Sequence, residues 1–120
     1  MSTPVWVTVA VLGGVGAIAR FRLDATIGGQ VGRDVPFGTL TINSTGALLL
    51  GLLMGLALTG DALVLAGTAL LGSYTTFSTW MLETHRLAED GEMPLAINAL
   101  LNIAIGIGAA ALGRAIGAHV

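Results

Sequence analysis

Long apolar stretches alternate along this chain with short clusters of charged and turn-forming residues. A helix that spans a bilayer needs about 20 mostly apolar residues, and four stretches of the sequence come close to that length. The predicted spans run from about Val5 to Ala19, from near Phe37 to Thr59, from just after Asp61 to about Thr84, and from about Pro94 to Ala118. The pattern therefore predicts an all-α membrane protein, with four transmembrane helices in a single domain that covers residues 1–120.

The composition favours lipid over water as the solvent of most of the chain. Hydrophobic residues make up 54% of it, charged residues only 10%, and the mean hydropathy is +0.87. A soluble domain of 120 residues with this composition would expose large apolar patches. The net charge is -2 and the five basic residues are scattered arginines, so no nucleic acid partner is expected.

Charged and turn-forming residues set the predicted helix ends, but they set the orientation only weakly. Arg20, Arg22 and Asp24 are expected to stop the first helix, and Pro94 is expected in the first turn of the last one. Four arginines fall on the side of the first and third loops, against Arg114 on the side of the termini. Because this bias is small, both orientations in the membrane stay open.

Small residues that stand four apart predict close helix packing. The pairs are Gly51 with Gly55, Gly113 with Gly117, and Gly13 with Ala17. Each pair lies on one face of its helix, where two backbones can approach closely. Since four short helices enclose little interior, we expect the chain to form oligomers through these faces.

Polar residues that a lipid-facing helix avoids fall on one face of the second and of the fourth predicted helix. These residues, with a glycine completing each stripe, are Thr39, Asn43 and Gly46, and Asn98, Asn102 and Gly106. Such residues either fasten helices by hydrogen bonds or line a polar path. Neither stripe holds a carboxylate, lysine or histidine that could relay protons, and amide and hydroxyl donors suit a passing anion.

Residues 72–80 place hydroxylated, β-branched and aromatic side chains in the middle of the third predicted helix. This composition predicts a broken helix, whose free N–H and carbonyl groups offer sites for anions and cations. An ordinary helix, with its hydroxyls bonded to carbonyls one turn earlier, is the alternative. Phe77 and Trp80 share a face, and the positive edge of an aromatic ring can face an anion.

Three motifs, in order along the chain, resemble one known family. They are GVGAIARF at residues 14–21, PFGTLTINSTG at 36–46 and GSYTTFSTW at 72–80. The chain is similar in this way to the Fluc (CrcB) fluoride channels, and the similarity covers essentially its whole length. The resemblance implies a dual-topology antiparallel dimer in the cell membrane, with two fluoride pores, a central structural sodium ion and passive fluoride export. Whether the dimer is a homodimer or a heterodimer with a paralogue stays open.

The resemblance also implies roles for individual pore residues. The implied fluoride pore residues are Asn43, Thr39, Phe77, Trp80, Ser78, Thr79, Asn98 and Asn102. Asn43 supplies the amide, Phe77 and Trp80 form the paired rings of an aromatic box, and the hydroxylated residues add donors. Two departures from the family matter: Trp80 stands where phenylalanine is usual, and the two asparagines of the last helix stand where tyrosine and serine are usual.

The implied sodium site uses main-chain atoms only. Backbone carbonyls of Gly72 and Thr75 from both copies are the implied ligands, which agrees with the preference of a hard cation for oxygen. Arg20 and Glu83 are implied at a pore mouth or as structural anchors.

Other classes of protein remain as alternatives. A small multidrug exporter needs an intramembrane carboxylate to exchange protons for drug, and the first three predicted spans offer none before Glu83. A non-conducting partner subunit of a heterodimeric channel is a second alternative. An enzyme is not expected, because Ser78 and His85 are too far apart along a helix to act as nucleophile and base.

Overall fold

A computed structural model describes residues 1–31, 37–91 and 95–120. Its elements are α1 (Thr3–Val31), α2 (Phe37–Gly55), α3 (Gly60–Leu63), a π-helix (Val64–Leu71), α4 (Gly72–Tyr74), α5 (Ser78–Glu89) and α6 (Leu95–Ala118). All regular structure in the described residues is helical, as the hydrophobic pattern predicts. Because α3, the π-helix and α4 follow one another directly, residues 60–74 form one rod, called here the first half-helix.

Three helical segments are long and apolar enough to cross a membrane: Thr3–Ile27, Phe37–Gly55 and Ala96–Ala118. Many of their large apolar side chains point outward; Phe21 is 75% exposed and Ile107 is 66% exposed. The exposure of so much apolar surface to water would be unfavourable, whereas its contact with lipid is favourable. The chain is therefore an all-α, multi-pass membrane protein.

The first helix is longer than the sequence predicts. It does not end at Ala19 but continues through Arg20 and Asp24 to Val31. Arginine, leucine and alanine all favour a helix, so the charged residues end the apolar stretch without ending the helix. Pro36, the first residue of the second motif, lies outside the described residues.

The second helix is shorter than predicted. α2 ends at Gly55 rather than near Thr59, and the chain then turns through Ala57, whose φ of 57° is left-handed. A single left-handed residue ends an α-helix, because the helical hydrogen-bond ladder cannot continue through it. α3 begins at Gly60, which also has a positive φ.

α5 is longer than predicted, and the predicted start of the last helix lies outside the described residues. α5 continues beyond Thr84 to Glu89, and its last turns carry a 2.9 Å contact between His85 Nε2 and Glu89 Oε1. Polar side chains four residues apart support a helix in this way, even where the apolar pattern has stopped. Pro94, predicted in the first turn of the last helix, lies outside the described residues, and α6 begins at Leu95.

α2 packs closely along α6 through glycines of both helices. These glycines are Gly51 and Gly55 in α2, and Gly113 and Gly117 in α6. A Cβ atom added at Gly51 would overlap the carbonyl of Ala110, and one added at Gly113 would overlap the carbonyl of Leu48. The prediction that these glycines form contacts between subunits is therefore wrong, because they bring together two helices of one chain.

The first half-helix packs against α1. A Cβ atom added at Gly16 of α1 would overlap Ser73 Oγ and the carbonyl of Leu70. The half-helix therefore approaches the backbone of α1 directly. Gly13, from the third predicted pair of small residues, has no atom within 4 Å of its Cβ position. Of these two glycines, Gly16 is the one that contacts the end of the half-helix leading into the candidate site.

Candidate functional site

The candidate site is built around an interruption between α4 and α5. α4 ends at Tyr74, Thr75 is extended with φ -80° and ψ 160°, and α5 begins at Ser78. The Thr75 N–H still donates to the Leu71 carbonyl at 3.0 Å, which closes the first half-helix. The predicted break in this part of the chain is thus present in the described structure, and the alternative of an ordinary continuous helix is not.

Asn43 of α2 binds the main chain of the break with both ends of its amide. Its Nδ2 donates to the Thr76 carbonyl at 2.8 Å, and its Oδ1 accepts from the Thr76 N–H at 2.9 Å. In an unbroken helix the Thr76 N–H would donate to Gly72 and the Thr76 carbonyl would accept from Trp80. The Asn43 amide therefore takes the place of two helical hydrogen bonds, and one of its two N–H groups stays available for another acceptor.

Further contacts hold the break against α1 and α2. Arg20 Nη1 donates to the Thr75 carbonyl at 3.3 Å, and the hydroxyls of Thr45 and Tyr74 lie 2.9 Å apart. A Cβ atom added at Gly46 would overlap Thr75 Cγ2, so the stripe glycine lets α2 approach the break closely. Arg20 thus contacts the main chain of the break directly.

A groove of about 380 Å³ lies between α2, the first half-helix and the start of α5. Its eleven lining residues are all uncharged: Asn43, Gly46, Ala47, Leu50, Gly67, Leu71, Gly72, Thr75, Thr76, Phe77 and Trp80. The rings of Phe77 and Trp80 meet edge to face, with centroids 5.5 Å apart and planes at 80°. The groove therefore brings together Asn43, the predicted aromatic pair and both predicted sodium ligands.

Thr39 and Glu83 form a second polar link between α2 and α5. Thr39 Oγ1 donates to Glu83 Oε1 at 3.0 Å, and Thr39 is buried. Glu83 lies one turn beyond Trp80, outside the residues that line the groove. Sequence reasoning singled out both residues but not their contact. Their pairing depends on how α5 leaves the break, and spacing along the chain does not reveal it.

The stripe of α6 lies apart from the groove within one chain. Asn98 is buried and donates to Thr84 Oγ1 at 2.7 Å, while Asn102 Nδ2 donates to the Asn98 carbonyl at 2.9 Å. Thr84 in turn donates to the Trp80 carbonyl at 2.7 Å. Sequence reasoning missed Thr84, although its position four residues after Trp80 places it one turn further along the same face of the helix. Within the chain, the Asn98 amide fastens α6 to α5, whereas the Asn102 amide bonds within α6.

The two predicted hydroxyl donors lie at the start of α5. Ser78 is the first residue of that helix and is exposed, whereas Thr79 is partly buried. The Thr79 N–H donates to Thr76 Oγ1 at 3.3 Å, so the Thr76 hydroxyl satisfies one of the free N–H groups in the first turn of α5. Neither Ser78 nor Thr79 lines the groove of the single chain.

An interrupted membrane helix beside an uncharged groove is an arrangement that membrane transport proteins use for ion sites. Residues 7–114 match the model of one protein family, described as "CrcB-like protein, Camphor Resistance (CrcB)". The match spans α1 to α6 and so includes the whole of the site. The chain therefore belongs to the CrcB family, also called Fluc, which is a family of ion channels and not of enzymes.

Three similar proteins are named fluoride-specific ion channels. A protein of Mycobacterium tuberculosis named fluoride-specific ion channel FluC 2 is 49% identical over 115 residues, covering 95% of this chain and 91% of its own length. A protein of the same name from Mycolicibacterium paratuberculosis is 50% identical over 111 residues, with 92% and 91% covered. Fluoride-specific ion channel FluC 1 of Symbiobacterium thermophilum is 43% identical over 119 residues, with 93% and 96% covered.

Proposed function

We propose that this chain is the subunit of a fluoride-selective channel that exports fluoride passively down its electrochemical gradient and so confers fluoride resistance. The observation that carries the proposal is the groove in which the Asn43 amide and the Phe77–Trp80 edge-to-face pair meet at the helix break. The relatives named fluoride-specific ion channels support the choice of ion.

The groove offers groups that can replace the water molecules that a small, strongly hydrated anion loses on entry. One N–H of the Asn43 amide is not used by Thr76, and aromatic rings present positive edges. Because the lining is uncharged, an anion entering it meets no carboxylate that would repel it. The same feature counts against a proton-coupled multidrug exporter, since the nearby carboxyl group of Glu83 lies outside the groove and is bonded to Thr39.

The working unit in this proposal is a dual-topology, antiparallel dimer with two pores. Residues 60–89 supply the fourth crossing of the membrane in two halves, alongside the three long spans. Phe77 is 69% exposed and the groove opens to one side of the chain, so a second copy is needed to enclose the path. A homodimer is the simplest form, and a heterodimer with a paralogue is the alternative.

The main-chain carbonyl groups at the break are suitable ligands for a sodium ion at the centre of that dimer. The Thr76 N–H donates to Asn43, so the Gly72 carbonyl is released from the bond it would receive in a continuous helix. The Thr75 carbonyl accepts only a long 3.3 Å bond from Arg20 among the described residues. Gly72 and Thr75 would hold the ion with uncharged oxygens, and its role there is structural.

The test is ion efflux from liposomes that contain only this chain. We expect the liposomes to release fluoride while retaining chloride, with empty liposomes as the control for leakage. Equal release of the two anions would contradict the proposed selectivity, and retention of both would point to a subunit that needs a different partner.

A further inference from the structure

Trp80 and Glu83 each bury a polar atom that has no hydrogen-bond partner within the part of the chain that the structure describes. These atoms are the indole Nε1 of Trp80 and the carboxyl Oε2 of Glu83. An indole N–H only donates and an ionised carboxyl oxygen only accepts, so the two atoms are complementary. Buried polar groups in folded proteins nearly always find a partner, which is a protein atom or an ordered water molecule.

Trp80 and Glu83 are neighbours along one face of α5. They are three residues apart on α5, so they lie on the same face on successive turns. The second oxygen of Glu83 is fixed by the 3.0 Å bond from Thr39, and the Trp80 ring is fixed by its edge-to-face contact with Phe77. The carboxyl group and the ring are thus each held by one further contact.

We propose that one buried water molecule joins the Trp80 indole N–H to Glu83 Oε2, and that this link makes Glu83 a positioning residue for the Trp80 ring. Such a water accepts from the N–H and donates to the carboxyl oxygen, which satisfies both buried atoms. Phenylalanine, the usual residue at this position in the family, has no N–H and cannot form this link. The chain Thr39–Glu83–Trp80 then sets the plane in which the indole meets Phe77.

The link itself does not depend on the proposed function; only its effect on fluoride flux does. If Glu83 orients the indole, it acts on the groove without touching the ion. The alternative is that the indole N–H points at the ion. The N–H donates to the bridging water in the first arrangement and to the ion in the second. A spectroscopic measurement of the N–H therefore distinguishes them.

The experiment uses the full chain in lipid nanodiscs, labelled with ¹⁵N-tryptophan. The chain has two tryptophans, and replacing the exposed one by Trp6→Phe leaves Trp80 as the source of the only indole signal. Glu83→Gln is compared with Glu89→Gln, which changes an exposed carboxyl group on the same helix. We expect Glu83→Gln to move the indole N–H resonance and to speed its exchange with D₂O, and Glu89→Gln to change neither.

A second variant covers the case in which Glu83→Gln does not fold. Thr39→Val keeps the carboxyl group but frees its Oε1, so we expect a smaller change in the same indole resonance. An indole resonance that is the same in both variants and in the parent would overturn the proposal. So would a resonance that fluoride moves as far in Glu83→Gln as in the parent while chloride does not, because the N–H would then face the anion.

Fluoride flux gives an independent measure of the coupling. In a double-mutant cycle, Glu83→Gln should change flux less when Trp80→Phe is already present, because the link is then gone. Additive effects would contradict a positioning role. A chain that passes no fluoride on its own would contradict the homodimeric channel and favour a subunit that needs a different partner, while the spectroscopic result would still decide on the link.

Discussion

Asn43 and Thr76 are joined by two hydrogen bonds, of 2.8 and 2.9 Å, between a side-chain amide of α2 and the main chain of the helix break. This contact makes the break a part of the packing between helices rather than a local irregularity. It also leaves both main-chain hydrogen bonds of Thr76 to one side chain. The first prediction follows from that dependence.

Asn43→Ala should strongly reduce fluoride flux and destabilise the chain. It leaves the Thr76 N–H and carbonyl without partners, and each such loss costs about 1–3 kcal/mol when the group is buried. Thermal unfolding and liposome efflux measure the two effects. Asn43→Asp separates them, because it keeps the acceptor for the Thr76 N–H but places a negative charge in the groove. A folded Asn43→Asp channel with normal flux would show that Asn43 acts only as a fastener.

Phe77→Ile should reduce fluoride flux while leaving the protein folded. It keeps apolar bulk but removes the aromatic edge, a contact worth roughly 0.5–1.5 kcal/mol, so the rate should fall about two- to tenfold. Phe21→Ile is the matched control, since Phe21 is 75% exposed on α1 and far along the chain from the groove. Unchanged efflux in Phe77→Ile would mean that the aromatic pair is packing alone.

Gly113→Ala should lower thermal stability, because its methyl group would overlap the Leu48 carbonyl in the seam between α2 and α6. Overpacking of this kind typically costs about 1–3 kcal/mol. Gly108→Ala, on the same helix, is the control, since no atom lies within 4 Å of its Cβ position. Equal melting temperatures for the two variants would contradict the close packing of the seam.

Both orientations should occur in one dimer population. The chain has no cysteine, so Val120→Cys introduces a single reporter at the C-terminal end. A membrane-impermeant maleimide applied to sealed cells or vesicles should label about half of the molecules, and the rest after permeabilisation. Complete labelling from one side would exclude an antiparallel arrangement.

Replacement of sodium by a large organic cation should destabilise the dimer without abolishing the fold of each chain. The reason is that the carbonyls of Gly72 and Thr75 would lose the cation that the proposal places between two copies. Melting of the purified dimer, in sodium and in N-methylglucamine at equal ionic strength, measures the effect. Identical melting and identical efflux in the two solutions would remove sodium from the proposal.

Much of the architecture could be predicted from the sequence because lipid imposes a simple rule on it. Stretches of about 20 apolar residues must form helices in a bilayer, and the helix positions follow from that pattern. The boundaries were less certain: α1 runs to Val31 and α5 to Glu89, because polar residues end an apolar stretch without ending a helix. The break near Thr75 was also predictable, since residues 72–80 replace leucines with hydroxylated and aromatic residues.

The amino-acid sequence by itself determined the class of protein, the helix break and the residue types of the site. Only the tertiary structure decided which residues meet. It assigned Gly51 and Gly113 to a seam inside the chain, directed the Asn43 amide to Thr76 and paired Thr39 with Glu83. The physical reason is that periodicity fixes the face of a helix on which a residue lies. Its partner depends instead on the rotation and depth at which two helices pack, which local spacing does not encode.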